Sequence, residues 1–533
     1  MKKLLLLTML CCLLPARAQH SQQAARKLQL AEYAISQLYV DSVNEDKIVE
    51  EAIRKMLSQL DPHSTYSTPE EVKELNEPLN GNFEGIGIQF QMMEDTLLVI
   101  QPVSDGPSER AGILAGDRIV AVNDTSIAGR KYTTDDIIKR LRGPKGSAVN
   151  LTVVRRGVKE PLSFSVKRDK IPISSLDAAY MAAPGIGYIR LNKFAATTGE
   201  EFAEALKKLQ GQGLIDLILD LQDNGGGYLN AAIDIANEFL EQKDLIVYTE
   251  GRTSRRSNYY AKGNGTFRQG RLVILVNEYT ASASEIVSGA VQDWDRGLIV
   301  GRRTFGKGLV QRPINLNDGS MIRLTTARYY TPSGRSIQKP YQTNADGTKT
   351  DAGNLEAYNS DLANRYRNGE LLHADSIHLP DSLKYQTLRM GRTVYGGGGI
   401  MPDYFVPIDT TRYTDYHRSL SAQGLILKSS TTYIENHRKE LARKYKDFNS
   451  YNADFEVGEE ILGYMRSEAD KAGIAFNQEQ YDYSLPYLKL QIKGLIARDL
   501  WDMSEYYHVM NSNNQSVLTA LKILNEGLYL TGT

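Results

Sequence analysis

The chain has 533 residues, of which 41% are hydrophobic, and carries 63 Lys and Arg against 64 Asp and Glu. This length and apolar content suffice for three or four packed domains, and the formal net charge of -1 gives no electrostatic reason to expect a nucleic-acid partner. The only two cysteines are Cys11 and Cys12, so zinc held by cysteine and a disulfide framework are excluded from the rest of the chain.

The N-terminus predicts export from the cytoplasm. Met1-Lys2-Lys3 precedes an apolar run, Leu4 to Leu14, that is too short to span a membrane, and Ala16-Arg17-Ala18 is typical of a cleavage site. We therefore predict a signal peptide over residues 1–18 and an extracytoplasmic, periplasmic location. A lipoprotein signal is the alternative, which the bulky Leu10 before Cys11 disfavours.

Residues 19–80 are predicted to be a helical region, because apolar residues recur at helical spacing from Leu28 to Leu38 and again from Ile48 to Leu60. A stretch rich in short strands follows over 81–168 and resembles a PDZ domain. Within it, Gly85-Ile86-Gly87-Ile88 resembles a loop that binds a peptide's terminal carboxylate. The run from Ala115 to Asn123 and a predicted helix over 134–141 are the other PDZ-like landmarks.

Two strand-turn-helix units follow. Leu214 to Leu221 predicts a buried strand that runs into Asn224-Gly225-Gly226-Gly227 and then a helix over 229–240. Leu272 to Asn277 predicts a second strand, which leads to Ser282 at the start of another helix. Phosphate binding is the rival hypothesis, but the glycines fit neither the GxGxxG spacing nor a P-loop.

Ser282 and Lys307 are predicted to be a serine nucleophile and its general base. No histidine lies between His63 and His373, so a histidine base would have to come from outside this core. A lysine acts as a base only if its pKa falls from about 10.4 toward roughly 7 to 8, which burial can supply. Gln311 is predicted to orient the lysine amine. Ser282 and Glu285 also match a capping box, and that structural role is compatible with catalysis.

These motifs resemble the C-terminal processing peptidases, also called tail-specific proteases, which use a Ser-Lys dyad. The resemblance rests on the segments 219–227, 282–286, 291–293, 301–311 and 331–337. It implies a crotonase-like α/β core, Ser282 rather than Ser284 as nucleophile, Gln311 as third member of the site and Asp293 in a supporting role. The family often has Asn-Pro-Gly-Gly where this chain has Asn224 to Gly227, which leaves open whether Gly226 or Gly227 joins Ala283 as an oxyanion donor.

The predicted fold class is therefore α/β multidomain, with a peptidase core over 169–408 and a helical region over 409–533. Within the core, a polar insertion over about 341–393 shows low strand or helix signal. His63 is predicted to be a capping or structural histidine and not a ligand. The C-terminal region is expected to pack on the core or on a neighbouring subunit.

The predicted function is that of an extracytoplasmic serine endopeptidase that captures protein C-terminal tails. No metal or organic cofactor is required by this chemistry. Expected partners are protein or peptide substrates with free C-termini, and the prediction leaves room for a homo-oligomer and for membrane-proximal partner proteins. The alternatives are a noncatalytic tail-binding scaffold and an esterase or amidase that acts on small molecules.

Overall fold

The structure is a computed structural model that describes residues 22–93, 96–339 and 355–528. The chain divides into two compact units. Among the described residues, the smaller unit contains 22–72, the segment Gln311–Thr325 and residues 355–361. The larger unit contains 73–310, 326–339 and 362–528.

The smaller unit begins with two helices, as predicted. Residues 22–38 form α1. Helix α2 (Glu45–Ser58) begins where the side chain of Asn44 caps it by accepting a hydrogen bond from a backbone amide. Strand β1 (Thr65–Ser67) then pairs antiparallel with residues 321–323. Helix α3 (Pro69–Asn80) leads into the larger unit.

The PDZ-like module forms the first part of the larger unit, and the PDZ-like prediction is confirmed. Its sheet has the order β3-β4-β5-β7-β8, with β6 paired to β5, and helix α5 packs on it through Ile137 and Leu141. Strands β2 and β9 begin and end the module in sequence, and they pair with each other antiparallel. Its elements are β2 (Asn82–Gly85), β3 (Ile88–Met93), β4 (Thr96–Pro102), α4 (Pro107–Arg110), β5 (Arg118–Val122), β6 (Thr125–Ser126), α5 (Thr134–Leu141), β7 (Ala148–Val154), β8 (Leu162–Lys167) and β9 (Asp169–Pro172).

The core is a six-stranded sheet of order β10-β11-β12-β15-β16-β21, parallel except for the pairing of β10 with β11. Residues 217–219 of β12 and Leu272–Val276 of β15 are apolar and fully buried, since helices cover both faces of the sheet. Its elements are β10 (Leu176–Ala183), β11 (Ile186–Leu191), α6 (Thr198–Gly211), β12 (Asp216–Asp220), α7 (Leu229–Asn237), β15 (Leu272–Val276), α8 (Ala283–Asp293), β16 (Leu298–Gly301) and β21 (Tyr404–Phe405).

Other strands complete the core. Strand β18 pairs with β13 through Arg328 to Tyr330, and β14 pairs with β13. Their bounds, with those of β17, are β13 (Leu245–Glu250), β14 (Ser257–Tyr260), β17 (Leu309–Asn315) and β18 (Met321–Tyr330).

The insertion contains more regular structure than predicted. Residues 341–354 lie outside the described part, but α9 (Leu355–Arg367), two 3-10 helices (Ala374–Ser376 and Asp381–Leu383) and the paired strands β19 (Lys384–Gln386) and β20 (Thr393–Tyr395) follow. The expectation of low helix content was wrong there. Buried Arg365 holds this segment by donating hydrogen bonds to the carbonyls of Arg303 and Thr304. Such tertiary bonds do not show in the local helix propensity of the sequence.

The C-terminal region is helical, as predicted, and packs on the core. Val517, Ala520 and Leu524 cover the sheet face that carries Ile218 and Val273, while α6, α7 and α8 cover the other face. The last part of the predicted region, residues 529–533, lies outside the described residues. The helices are α10 (Asp415–Ala422), α11 (Leu425–Lys444), α12 (Phe448–Asp454), α13 (Glu459–Lys471), α14 (Gln478–Leu500), α15 (Met503–Asn511) and α16 (Gln515–Asn525).

In the part of the chain that the structure describes, no helix combines the length and apolarity needed to cross a bilayer. The same residues contain no group of His, Cys, Asp and Glu that could hold a metal ion.

Candidate active site

Two neighbouring strands deliver the predicted site residues to one edge of the sheet. Strands β12 and β15 are parallel and paired, with Leu219 opposite Ile274. Each is followed by a turn and a helix, so the turn that contains Asn224 and the turn that ends at Ser282 both lie at the carboxyl edge. This is where open α/β sheets bind their ligands.

Asn224 joins the two turns. Its carbonyl accepts hydrogen bonds from Ala281 N–H and from the Ser284 hydroxyl, each at 3.0 Å. Its side-chain oxygen accepts a bond of 2.9 Å from Gly226 N–H, and its amide group donates to the carbonyl of Leu191. Asn224 is fully buried, so these bonds replace the water that its polar groups would otherwise bind.

Ser282 has an unusual backbone conformation. Its φ is 57° and its ψ is -113°, a combination that L-residues avoid at a cost of roughly 1–3 kcal/mol. It immediately precedes α8, as predicted. The surrounding contacts therefore have to hold the serine in place against this strain.

Glu285, in the first turn of α8, connects the serine to the lysine. Its Oε2 accepts hydrogen bonds from Ser282 N–H at 2.8 Å and from Lys307 N–H at 2.9 Å. Its Oε1 accepts bonds from Gly306 N–H at 2.7 Å and from the Thr304 hydroxyl. Because one oxygen bonds both amides, the main chains of Ser282 and Lys307 lie within two hydrogen-bond lengths of each other.

The environment of Glu285 is dry. The residue is completely buried, and burial raises the pKa of its carboxyl, while the bonds from Thr304, Lys307, Gly306 and Ser282 act in the opposite direction. A carboxyl group in such a site is stable only because four donors surround it.

Gly226 forms the wall of the site opposite Ser282. Its φ is 98°, and a Cβ built on it would lie 2.8 Å from the Ser282 Cβ, from Ala283 N and from Ala281 O. No side chain fits between the two turns. Gly226 N–H is bonded to Asn224, so this amide is already engaged, which favours Gly227 as the second predicted oxyanion donor.

Lys307 follows Gly306 and precedes β17, in a loop that is bonded to Glu285. Gln311 lies in the smaller unit, where its Nε2 donates to the Thr325 hydroxyl at 3.4 Å and the Thr325 hydroxyl donates to Asp61 at 3.1 Å. The predicted part of Gln311 in orienting the lysine stays a prediction. Asp61 also accepts bonds from His63 N–H and Ser64 N–H, so this turn is capped by Asp61.

The structure separates the two serines of the motif by environment. Ser284 is fully buried, and its hydroxyl is bonded to the Asn224 carbonyl. Ser282 is only partly buried. A hydroxyl that has no access to a substrate cannot attack it, so the choice of Ser282 as the predicted nucleophile is consistent with the structure.

Asp293 lies at the opposite end of α8 from Ser282. At 1.5 Å per residue the helix separates them by about 15 Å. Its carboxylate forms a fully buried ion pair of 2.8 Å with Arg335 and accepts a bond of 2.9 Å from Ser333 N–H. Any support that Asp293 gives to the site therefore acts through the position of the helix.

The predicted carboxylate-binding loop, Gly85-Ile86-Gly87-Ile88, connects β2 to β3. The Ile86 carbonyl accepts bonds from the Ser108 amide and hydroxyl, and the Gly87 carbonyl accepts one from Val103 N–H. These bonds fix the loop. Strand β3 is an edge strand in the sheet order, so a peptide could add to it as a further strand.

Sequence reasoning missed two residues of the site. The sequence pattern indicates a helix cap at Glu285, but nothing local shows that this residue also bonds the lysine loop 22 residues away. No sequence motif marks Tyr329, yet its hydroxyl donates to the Ser282 carbonyl at 3.1 Å. The sequence signal is weak: Ala327 and Tyr329 alternate with the charged Arg328 as in a half-buried strand.

Family models match four parts of the chain. Residues 185–351 match peptidase family S41 and residues 98–155 match a PDZ domain. Residues 14–70 match the N-terminal domain of the activating protease CtpB, and residues 416–502 match a family of unknown function. The peptidase match covers Ser282, Glu285 and Lys307.

Named relatives agree with these matches. A carboxy-terminal-processing protease of Bartonella bacilliformis is 39% identical over 305 residues, which cover 56% of this chain and 69% of that protein. The carboxy-terminal processing protease CtpB of Bacillus subtilis is 34% identical over 332 residues, which cover 61% of this chain and 68% of that protein.

Among solved structures, the photosystem II D1 C-terminal processing protease is 30% identical to this chain and covers 61% of it and 97% of that chain, with a TM-score of 0.33. The extent of similarity to the two named relatives, together with the peptidase and PDZ matches, shows that the chain belongs to the C-terminal processing peptidases, a family of serine proteases that carry a PDZ domain.

Proposed function

We propose that this protease is an extracytoplasmic endopeptidase that binds protein C-terminal tails through its PDZ domain and cleaves them with a Ser282-Lys307 dyad. The observation that carries the proposal is the carboxylate of Glu285, which bonds the amides of both residues. The signal-peptide pattern of residues 1–18 supports the location outside the cytoplasm.

In the proposed reaction, Lys307 removes the proton of the Ser282 hydroxyl as the serine oxygen attacks the peptide carbonyl. The carbonyl oxygen becomes an oxyanion that accepts hydrogen bonds from Ala283 N–H and Gly227 N–H. Lys307 then gives the proton to the leaving amine, and an acyl-enzyme forms. Water releases the acyl group in a second step with the same residues.

In the proposed function, the PDZ domain binds the C-terminal tail of the substrate. A tail that adds to the edge of β3 would place its terminal carboxylate at the Gly85 to Ile88 loop. Binding by the tail selects polypeptides, so small-molecule esters are expected to be poor substrates.

The proposal is tested with a partly unfolded protein substrate and mass spectrometry of its products. Ser282→Ala and Lys307→Ala should each abolish cleavage, because each removes a reacting group, and should leave the fold intact. Ser284→Ala is the matched control: its hydroxyl bonds Asn224 and should be dispensable for chemistry, so appreciable activity should remain. Full activity in Ser282→Ala, or its loss only in Ser284→Ala, would contradict the dyad.

A further inference from the structure

The carbonyl of Ser282 and the N–H of Ala283 belong to one peptide unit. This unit is planar and trans, so its oxygen and its N–H point in opposite directions and rotate together. A group that fixes the Ser282 carbonyl therefore also fixes the direction of Ala283 N–H, the proposed oxyanion donor. The unusual ψ of -113° at Ser282 describes the orientation of this plane.

Tyr329 is the side chain that bonds this carbonyl. Its hydroxyl donates to Ser282 O at 3.1 Å. Its ring is buried in the main hydrophobic core with only 1% exposed, and its own N–H donates to the Gly308 carbonyl at 3.0 Å. The hydroxyl thus belongs to a buried side chain of β18, and the same residue is bonded to Gly308, which follows Lys307.

Two other donors reach the Ser282 carbonyl, namely the amides of Glu285 at 2.9 Å and Ile286 at 3.0 Å. Both belong to α8, the helix that this peptide unit begins. Tyr329 bonds the same carbonyl from a different element, β18. Without it the carbonyl would keep its helical bonds, and the tilt of the peptide plane would be less restricted.

We propose that Tyr329 is a positioning residue that aims Ala283 N–H at the oxyanion. The inference rests on the proposed function, because it requires Ser282 as the nucleophile. Tyr329 does not touch the reacting atoms. Its effect is on how well the transition state is stabilised and not on how well the substrate is bound.

The test is Tyr329→Phe, which removes the hydroxyl and keeps the ring. We expect kcat to fall roughly 10-fold, as for the loss of one hydrogen bond, with KM unchanged. Tyr330→Phe is the matched control, since Tyr330 stacks on Tyr248 and should leave kcat as in the wild type. Replacing Tyr329 with 4-aminophenylalanine restores a donor at the same place and should recover most of the lost turnover.

A second measurement separates positioning from a general structural defect. A peptide aldehyde forms a tetrahedral adduct on a serine nucleophile, so its affinity should fall by the same factor as kcat/KM in Tyr329→Phe. The affinity for intact substrate, measured with and without Tyr329→Phe in a Ser282→Ala background, should not change. The inference would be overturned if kcat and aldehyde affinity did not change, or if substrate affinity fell by the same factor as aldehyde affinity. Failure of 4-aminophenylalanine to restore turnover would also overturn it.

Ser282→Ala measured in parallel shows which hypothesis has failed. If Ser282→Ala still cleaves, the proposed function is wrong and the inference falls with it. If Ser282→Ala is inactive while Tyr329→Phe is fully active, only the role of Tyr329 is wrong.

Discussion

A single buried carboxylate, that of Glu285, holds the main chains of the two proposed dyad residues close together. Glu285 accepts four hydrogen bonds, and the donors come from both the serine turn and the lysine loop. In a dry site each bond is costly to lose, because the donor left behind finds no water. Glu285 therefore caps α8 and also links this helix to the lysine loop.

Glu285→Gln tests this link because the two side chains have nearly the same size and differ in charge and hydrogen bonding. The new NH2 group would face N–H or O–H donors, so at least one of them loses its acceptor. We expect turnover to fall by at least about 10-fold and the melting temperature to fall by a few degrees, as for a loss of about 1–3 kcal/mol. Peptide cleavage kinetics and calorimetry provide both values.

Ser288→Ala is the control for Glu285→Gln. Its hydroxyl is also buried in α8 and bonds the Ser284 carbonyl, away from the lysine loop. This variant should keep its turnover. Wild-type turnover in Glu285→Gln would show that the carboxylate is not needed to hold the dyad.

The glycine turn after β12 can pack closely against the Ser282 turn because Gly226 has no side chain and a positive φ. Gly226→Ala should abolish activity, because its Cβ would lie 2.8 Å from three atoms of the Ser282 turn and its φ of 98° is unfavourable for alanine. Gly225→Ala is the adjacent control, since a Cβ there meets nothing within 4 Å. Cleavage assays on both variants decide the matter, and an active Gly226→Ala would refute the close packing of the two turns.

The sequence was informative about elements and less so about contacts between them. The apolar runs that became β12 and β15 and the helix Thr134–Leu141 could be predicted because periodicity and turn residues are local signals. The bond from Tyr329 to Ser282 could not, since it joins residues 47 positions apart. Nor could α9, whose Arg365 is held by carbonyls of another segment.

Helix α10 carries a buried histidine, His417, from which we predict that acid destabilises the C-terminal region. His417 bonds Gln491 through Nε2 at 2.7 Å, its Nδ1 is buried without a partner among the described residues, and burial lowers its pKa. The unfolded chain therefore binds the proton more tightly than the folded one. Stability from the neutral ring is present above about pH 6.5 and falls as the pH drops below that value.

Melting temperatures measured from pH 7.5 to 5.5 test this effect. His417→Gln should reduce the loss of stability on acidification. His437→Gln is the opposite control: contacts with Glu460 and Glu440 raise the pKa of His437, so its contribution is present at low pH and lost as the pH rises. Removing it should make the acid loss steeper. Identical pH slopes in wild type and His417→Gln would contradict the assignment.

At the scale of the whole molecule, the PDZ domain also contacts the C-terminal helices. Arg118 forms an ion pair of 3.2 Å with Glu435 of α11, and Arg156 donates to the Glu435 carbonyl and to Asn436. The domain order was predictable from motifs in the sequence. These contacts were not, because they join residues about 300 positions apart.

Tail capture predicts that a free C-terminal carboxylate speeds cleavage. Amidation removes the charge that the Gly85 to Ile88 loop is proposed to bind, so kcat/KM for long substrates should fall about 10-fold or more. Rates are measured below saturation for free-acid and amidated forms of one polypeptide. A short peptide that cannot reach both sites is the control and should show no difference. Equal rates for the long pair would remove tail capture from the proposal.

The ribbon of β2 and β9 has a practical consequence for engineering. Asn82 lies opposite Pro172, and Ile173 N–H donates to the Gly81 carbonyl at 2.8 Å, so the chain enters and leaves the PDZ domain at one point. Because these ends are adjacent, we expect a short linker from Gly81 to Ile173 to close the chain when the domain is removed, at the loss of the bonds from Arg118 and Arg156 to α11. A domain with similarly adjacent ends is expected to fit at the same place.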